Sequence, residues 1–298
     1  MPQRRSDFMS SGVRVAGLLS TPSRRPKGVG LPAIVMAHGF GAQMDFRLPA
    51  FAAEFVKRGF AVYRFDYRSF GLSEGEPRNY VHPGRHKQDW MRAIEHVREQ
   101  PEVDPERLAL WGTSFSGGHV LACAARDPRL RAVSVLVPFV SGPATVLHLG
   151  PAYALRATSH ALLDLARAAL GLGPHRVPIV SPPDRFGLMN RPDSEPGYLA
   201  MIPTDSTWEN SCPARIALLA TAYRPGSAAK KIGCPVLVIL ATKDSLIPAG
   251  AVRRVARRIA RSEILELPIG HFDPYGGDFF RQTVQAQCHF LTKNVLES

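Results

Sequence analysis

The feature that most constrains this chain is a regular alternation between short apolar runs and helical patterns. The runs lack the apolar–polar alternation of a half-exposed strand, so we interpret them as strands buried on both faces. Five such runs occupy residues 33–37, 60–65, 108–111, 133–137 and 236–241. Helical patterns occupy residues 45–58, 84–99, 115–126, 248–260 and 277–296. This order predicts an α/β fold with a mostly parallel central sheet flanked by helices.

The stretch between the fourth and fifth runs breaks this rhythm. It offers no convincing strand, and instead contains two helical patches, at 153–170 and 208–223, and a proline-rich stretch, at 174–203. We therefore predict two parts. They are a core of residues 1–138 and 231–298 and a helical lid inserted at residues 139–230.

Before the first run, the sequence shows a short addition to this plan. Phe8 and residues 13–19 are typical of a strand pair that turns at Ser11-Gly12. Residues 21–32 are rich in proline, glycine and basic side chains and indicate a loop.

The formal net charge of +12 raises the question of a nucleic-acid partner. The basic residues are mostly arginines scattered through the chain, and the densest run, at 253–258, has apolar residues at helical spacing. That spacing indicates the solvated face of an amphipathic helix, and we expect no specific nucleic-acid partner. No segment approaches the ~20 apolar residues that a membrane-spanning helix needs, so no span is expected.

Four cysteines, Cys123, Cys212, Cys234 and Cys288, are far apart in the sequence. They show neither a CxxC spacing nor a cluster with histidine, as a metal site would require. We interpret them as reduced thiols and predict a cytoplasmic protein without a metal site.

Ser114 occupies the corner between the run at 108–111 and the helical pattern that follows it. A serine at such a corner lies on a strained turn, and small residues two positions away on each side let the backbone pass. Gly112 meets the first need, while Ser116 stands where the usual pattern has glycine. The helix that begins here also directs the positive end of its dipole at the corner and favours an oxyanion. The sequence therefore predicts Ser114 as a nucleophile.

A literal G-x-S-x-G pattern occurs elsewhere, at residues 71–75. Its Ser73 lies several residues past a strand and is followed by Glu76-Pro77, which cannot continue as a buried helix. We interpret Ser73 as a turn residue.

Partners for a nucleophilic serine follow the last two sheet strands. A serine hydroxyl needs a base, and the histidine that serves as base needs a carboxylate to hold its tautomer. Asp244 follows the run at 236–241, and His271 follows a further short strand at about 263–267. The order serine, acid, histidine is typical of this kind of fold. We predict Asp244 as the orienting acid and His271 as the general base.

An oxyanion hole requires two backbone N–H donors. Phe115, the residue after the nucleophile, is expected to supply one, and Phe40, in the loop after the run at 33–37, the other. His38 in the same loop is interpreted as a structural residue buried beneath it.

Four sequence strings together resemble the α/β-hydrolase superfamily, and within it bacterial proteins of the dienelactone-hydrolase-like and polyketide-transferase-like groups. They are AHGFG at 37–41, FDYRSFGLSEG at 65–75, WGTSFSGGHV at 111–120 and GHFD at 270–273. The resemblance spans nearly the whole chain and implies that Ser116 is usual for these groups. It also implies acyl transfer in two steps on Ser114, without a metal or organic cofactor. It says little about substrate, because this fold hosts many chemistries.

These observations favour a serine hydrolase that cleaves a carboxylic ester or thioester of a small acyl substrate. The main alternative is a biosynthetic acyltransferase or cyclase that uses the same acyl-enzyme. A peptidase, a carbon–carbon bond hydrolase and a catalytically dead ligand-binding protein remain further alternatives. Aromatic residues of the lid are candidates for the acyl pocket: Phe139, Tyr153, Trp208 and Tyr223. Proteins of this fold often dimerise, but the sequence shows no decisive apolar seam.

Overall fold

The structure of the protein is a computed structural model that describes residues 1–24 and 28–297. The predicted loop at 21–32 includes residues 25–27, and the predicted core ends at residue 298. These four residues lie outside the described part. The strands within the described ranges are β1 (Gln3–Arg5), β2 (Phe8–Ser10), β3 (Val13–Val15), β4 (Gly17–Ser20), β5 (Leu31–Ala37), β6 (Ala61–Phe65), β7 (Val103–Thr113), β8 (Ala132–Leu136), β9 (Arg176–Val177), β10 (Cys212–Pro213), β11 (Val236–Ala241) and β12 (Ser262–Leu267).

Helices cover both faces of the resulting sheet. They are α1 (Leu48–Lys57), α2 (Pro83–Arg98), α3 (Ser114–Ala124), α4 (Gly142–Leu149), α5 (Pro151–Ala169), α6 (Ser194–Leu199), α7 (Ile216–Ala222), α8 (Ala249–Ala256) and α9 (Gly277–Leu291). Short 3-10 turns occupy Pro225–Lys231 and Asp273–Tyr275, and a wider helical turn over Thr292–Leu296 continues α9.

The central sheet has eight strands in the order β1-β4-β6-β5-β7-β8-β11-β12 among the described residues. The six strands from β6 to β12 pair in parallel, and β4 and β1 add an antiparallel edge. The predicted fold class, a mostly parallel sheet between helices, is therefore confirmed. The predicted turn at Ser11-Gly12 joins β2 to β3 as a hairpin, whereas the edge strand β1 was not predicted.

Burial on both faces of the sheet explains why the strands read as continuous apolar runs. Along β5, Val35 belongs to the apolar core on one face, and Ile34 and Met36 belong to the core on the other. All three side chains are fully buried. Successive side chains of a strand point to opposite faces, so a strand covered by helices on both sides needs apolar residues at every position.

The segment between β8 and β11 adds no strand to the central sheet within the described residues. It holds α4 to α7, and its strands β9 and β10 pair with each other in a separate antiparallel sheet. We call residues 139–230 the inserted segment. The helix predicted at 208–223 covers only Ile216–Ala222. One reason is Pro213, whose missing N–H and fixed φ interrupt a helix.

A buried ion pair ties two helices of the inserted segment together. Asp164 of α5 is completely buried and accepts two hydrogen bonds from the Arg215 guanidinium, at 2.7 and 2.9 Å. The backbone N–H groups of His175 and Arg215 donate to the same carboxylate. A buried carboxylate needs this many partners, because its desolvation costs several kcal/mol. The ion pair therefore fixes where α5 lies relative to α7.

Candidate active site

The corner between β7 and α3 holds Ser114 in a strained conformation. The backbone φ of Ser114 is +51°, in the left-handed region that residues other than glycine rarely adopt. A Cβ placed on Gly112 would lie 2.7 Å from the carbonyl oxygen of Ser116, so only glycine fits there. This geometry places the Ser114 hydroxyl at the carboxyl end of the sheet, at the N-terminus of α3.

Ser116 is buried behind this corner and is the end of a chain of hydrogen bonds. The Tyr67 hydroxyl donates to Ser116 Oγ at 2.9 Å, and Trp90 Nε1 donates to the Tyr67 oxygen at 2.8 Å. Burial raises the pKa of Tyr67, so its hydroxyl keeps its proton. A serine fits here because its hydroxyl accepts the hydrogen bond from Tyr67. A glycine would leave the Tyr67 hydroxyl without this acceptor.

Two hydrogen bonds connect Ser114, His271 and Asp244 in series. His271 Nε2 lies 3.1 Å from Ser114 Oγ, and His271 Nδ1 lies 2.7 Å from Asp244 Oδ2. The imidazole is 2% exposed and the aspartate 9%. The carboxylate can only accept, so Nδ1 carries a hydrogen and Nε2 is left to accept one from the serine.

The second oxygen of Asp244 is held by the backbone. Oδ1 accepts from the N–H groups of Leu246 and Ile247, both at 2.8 Å. Two carboxylates that follow His271 in the sequence are engaged elsewhere, since Asp273 accepts from the backbone N–H of Gly270 and Asp278 pairs with an arginine of α9. Asp244 is therefore the carboxylate that faces the imidazole.

The loop after β5 lies directly against Ser114. A Cβ placed on Gly39 would be 3.1 Å from the Ser114 Cβ, a contact that a larger residue would crowd. Phe40 follows in this loop, and Phe115 is in the first turn of α3, where backbone N–H groups have no partner within the helix. The rings of Phe40 and Phe115 touch edge to face, with centroids 5.4 Å apart.

Ser114 and His271 open into a largely apolar cavity of about 150 Å³. Of the predicted acyl-pocket residues, Phe139 and Tyr153 line it. Most of its other walls come from α4, α5, α7 and the Asp244 loop, through Val146, Leu149, Ala157, Ile216, Ala217, Leu246 and Ile247. A cavity of roughly this size with apolar walls holds a benzene-sized group.

Trp208 and Tyr223 lie outside the lining of this cavity. Trp208 Nε1 donates to the carbonyl oxygen of Gly41 at 2.7 Å, and the Tyr223 hydroxyl lies 2.9 Å from His119 Nδ1. The polar atom of each ring is thus bonded within the fold, and the Tyr223 ring packs on Phe115 and Phe139 behind the cavity wall. The wall formed by α4 and the inner side of α5 was not predicted, because alanine, valine and leucine in a helix carry no sequence signal that separates pocket residues from core residues.

A second, smaller cavity also borders Ser114 and His271. Its volume is about 20 Å³, and Phe46, Tyr198 and Phe272 are among the residues that line it. This is enough space for about one water molecule.

Ser73 is built into the fold far more tightly than Ser114. It is 3% exposed, its Oγ donates to the carbonyl oxygen of Asp66 at 2.8 Å, and the N–H of Ala16 donates to the same Oγ. These bonds hold the loop after β6 against the N-terminal hairpin, as a turn residue would.

Within residues 1–24 and 28–297, no group of three or more histidine, cysteine, aspartate or glutamate side chains is arranged to hold a metal ion. None of the helices in the same ranges is long and apolar enough to cross a membrane.

The sheet order and the inserted helices, together with the serine at the strand-to-helix corner, define an α/β-hydrolase fold. The chain belongs to the family described as serine aminopeptidase, S33, whose sequence profile matches residues 31–267.

Relatives that match most of this chain have different names. The quorum-quenching protein AidA of Acinetobacter baumannii is 40% identical, over 97% of this chain and 94% of its own. The polyketide transferase af380 of Aspergillus fumigatus is 28% identical, over 89% and 90%. Among solved structures, the α/β hydrolase GrgF of a Penicillium species superposes with a TM-score of 0.81 at 24% identity, over 99% of this chain and 100% of its own. The resemblance to the α/β-hydrolase superfamily is thereby confirmed.

Proposed function

We propose that the protein is a serine hydrolase that cleaves a carboxylic ester or thioester through an acyl-enzyme on Ser114. The observation that carries this proposal is the hydrogen-bonded series from Ser114 through His271 to Asp244 at the edge of an apolar cavity. Membership in a hydrolase family supports the same reaction class.

In the first step, Ser114 Oγ attacks the substrate carbonyl carbon while His271 Nε2 takes the hydroxyl proton. The buried Asp244 carboxylate stabilises the imidazolium that forms. The N–H groups of Phe40 and Phe115 would hold the oxyanion of the tetrahedral intermediate. His271 then gives its proton to the leaving alcohol or thiol, and the carbon–oxygen or carbon–sulfur bond breaks.

In the second step, water attacks the acyl-enzyme. His271 accepts a proton from the water, the oxyanion forms again on the same donors, and Ser114 leaves with the proton. The small cavity beside Ser114 and His271 has room for about one water molecule, which suits this step.

The inserted segment would act as a lid that gives the acyl group its apolar surroundings. Its helices α4, α5 and α7 form most of the large cavity. We propose an acyl group of medium length, because apolar walls favour an alkyl or aryl group and the volume is close to that of a benzene-sized site. The four cysteines, all of them buried and unpaired, suit the proposed cytoplasmic location.

An acyltransferase or cyclase is the second candidate. The polyketide transferase relative favours it, and the same acyl-enzyme would then be resolved by an alcohol, an amine or an internal nucleophile instead of water. The chemistry on Ser114 is common to both candidates, so they differ only in what attacks the acyl-enzyme.

A fluorophosphonate probe combined with a series of p-nitrophenyl esters tests the proposal. We expect one adduct, located on Ser114 by peptide mass spectrometry, and turnover with an optimum at a medium acyl length, about six to eight carbons for this cavity. Labelling of Ser114 with a single burst and no turnover would favour the transferase. The absence of any adduct on Ser114 would contradict both enzymatic candidates.

Ala157→Phe should shift the acyl-length optimum toward shorter chains. Ala157 is a buried residue of α5 that lines the large cavity, and the added ring would occupy most of a benzene-sized space. We expect kcat/KM for the p-nitrophenyl ester of octanoate to drop at least about tenfold, equivalent to the loss of one or two buried methylenes. The value for the acetate ester should change little. Ala152→Phe, on the exposed side of the same helix, is the matched control. An equal loss for all chain lengths would place the acyl group elsewhere.

A further inference from the structure

Two side chains hold the peptide groups on either side of Phe40. His38 Nδ1 lies 3.0 Å from the carbonyl oxygen of Gly39, and the Tyr198 hydroxyl donates to the carbonyl oxygen of Phe40 at 2.9 Å. A planar trans peptide directs its C=O and its N–H in opposite directions. Holding the carbonyl of Gly39 therefore aims the N–H of Phe40, and holding the carbonyl of Phe40 fixes the peptide that follows.

A third side chain holds the next peptide group. Trp208 Nε1 donates to the carbonyl oxygen of Gly41 at 2.7 Å. Gly41 has a φ of +65°, and a Cβ there would come within 2.8 Å of the Ile179 side chain. Three consecutive carbonyls of the loop after β5 thus each accept a bond from a side chain, and two of the three donors belong to the inserted segment.

These bonds do not change with pH in the range where an esterase works. Burial lowers the pKa of His38 to about 3, so the ring is neutral, and its Nδ1 carries the hydrogen because a carbonyl oxygen only accepts. Burial raises the pKa of Tyr198 well above its ordinary value, so the phenol keeps the proton that it donates. The indole N–H of Trp208 does not titrate.

Helix α6 connects the loop after β5 to the loops that hold Asp244 and His271. Ser245, next to Asp244, donates to Asp193 at the start of α6. Gly197 within the helix lies so close to Phe272, next to His271, that a Cβ there would be 2.5 Å from the Phe272 side chain. Helix α6, with Asp193 at its start, therefore contacts the residues next to Asp244 and His271, and it also carries Tyr198.

We propose that Tyr198 and Trp208 are positioning residues: by holding the two peptide groups that follow Phe40, they let the inserted segment keep the N–H of Phe40, the proposed oxyanion donor of the loop after β5, in place. This rests on the proposed function, since it concerns how that same site stabilises its tetrahedral intermediate. The inserted segment then has two tasks: α4, α5 and α7 enclose the acyl group, while Tyr198 and Trp208 hold the backbone next to the N–H that receives the oxyanion charge.

The test is a comparison of Tyr198→Phe and Trp208→Phe with the parent protein. Both substitutions keep an aromatic ring and remove one donor. We expect each to lower kcat for a p-nitrophenyl ester about tenfold with little change in KM, less than the ~10²–10³ lost when a direct donor is removed, and the double variant to lose up to about 10². The inhibition constant of an alkyl trifluoromethyl ketone, which forms a tetrahedral oxyanion on serine, should rise by the same factors. The loss should be constant between about pH 6 and pH 9, because neither residue titrates there.

Tyr63→Phe is the matched control, because the buried Tyr63 hydroxyl in β6 also donates to a backbone carbonyl, that of Ser6 between β1 and β2. It should cost similar thermal stability and leave kcat and the ketone affinity unchanged. An active parent whose Tyr198→Phe and Trp208→Phe variants keep both constants would overturn the positioning role alone. Equal kinetic losses in Tyr63→Phe would overturn it as well, since they would reflect general destabilisation. A parent without ester turnover or Ser114 labelling would overturn the proposed function together with this role.

Discussion

Ser114→Ala is expected to lower kcat for a p-nitrophenyl ester by about 10⁶, the size of loss seen when a triad serine is removed from a serine hydrolase. The substitution removes the only hydroxyl that His271 Nε2 contacts in the described residues, at 3.1 Å. The remaining activity would come from the oxyanion donors and the binding of substrate. Steady-state kinetics with the best ester of the chain-length series measures the loss, and fluorophosphonate labelling should vanish with it.

Ser73→Ala is the control that distinguishes Ser73, in the literal G-x-S-x-G pattern, from Ser114 as the nucleophile. Removing the Ser73 hydroxyl leaves the N–H of Ala16 without its acceptor. A buried unpaired group of this kind costs roughly 1–3 kcal/mol of stability. We therefore expect a lower melting temperature with unchanged kcat per folded molecule. Equal activity of Ser114→Ala and the parent, or loss of catalysis only in Ser73→Ala, would refute the assignment of the nucleophile.

The positions of Ser114, Asp244 and His271 were predictable because each follows a strand end. Carboxyl ends of parallel strands meet at one edge of a sheet, so residues 130 and 157 positions apart from Ser114 are brought to it by topology alone. The strand at 236–241 was also predicted with its observed bounds. Local signals decide these features, since a buried strand needs apolar residues throughout and a strained corner needs small neighbours.

The side-chain positions in the inserted segment were less predictable, because contacts between residues distant in the sequence determine them. Trp208 and Tyr223 carry the aromatic character of pocket residues, but whether a ring faces the cavity depends on which carbonyl or imidazole receives its polar atom. Tyr198 lies in a proline-rich stretch that predicts no helix, yet it belongs to α6 and contacts the loop after β5. A residue that acts by holding another residue's backbone leaves no motif in the sequence.

The core sheet and the inserted segment position different parts of the candidate site, and Tyr198 belongs to the inserted segment. Ser114, Phe115, Asp244 and His271 follow strands of the central sheet, whereas the backbone after Phe40 is also held by two donors from the inserted segment. A change in that segment would therefore alter the large cavity and the loop after β5 at once. This coupling gives one reason why proteins of one fold can include relatives with names as different as a quorum-quenching protein and a polyketide transferase.

Asp244→Asn is expected to lower kcat by about 10⁴ while leaving the fold intact. An amide in place of the carboxylate can still accept from the N–H groups of Leu246 and Ile247, so the loop keeps its shape. Its NH₂ group would then face His271 Nδ1, and a donor in that place favours the tautomer with the hydrogen on Nε2. That hydrogen would point at Ser114, and the imidazole could no longer accept the serine proton.

Asp273→Asn is the matched control, two residues from the histidine and also bonded to a backbone N–H. Its carboxylate accepts from Gly270 at 2.7 Å, and an asparagine oxygen can do the same. We expect less than a tenfold effect, because no hydrogen bond joins Asp273 to the imidazole.

The slow turnover of Asp244→Asn should recover partly at high pH, where hydroxide replaces the missing base. A small loss in Asp244→Asn with a large one in Asp273→Asn would show that the histidine takes its orientation from Asp273 during catalysis, and that the bond to Asp244 at 2.7 Å belongs to a resting arrangement.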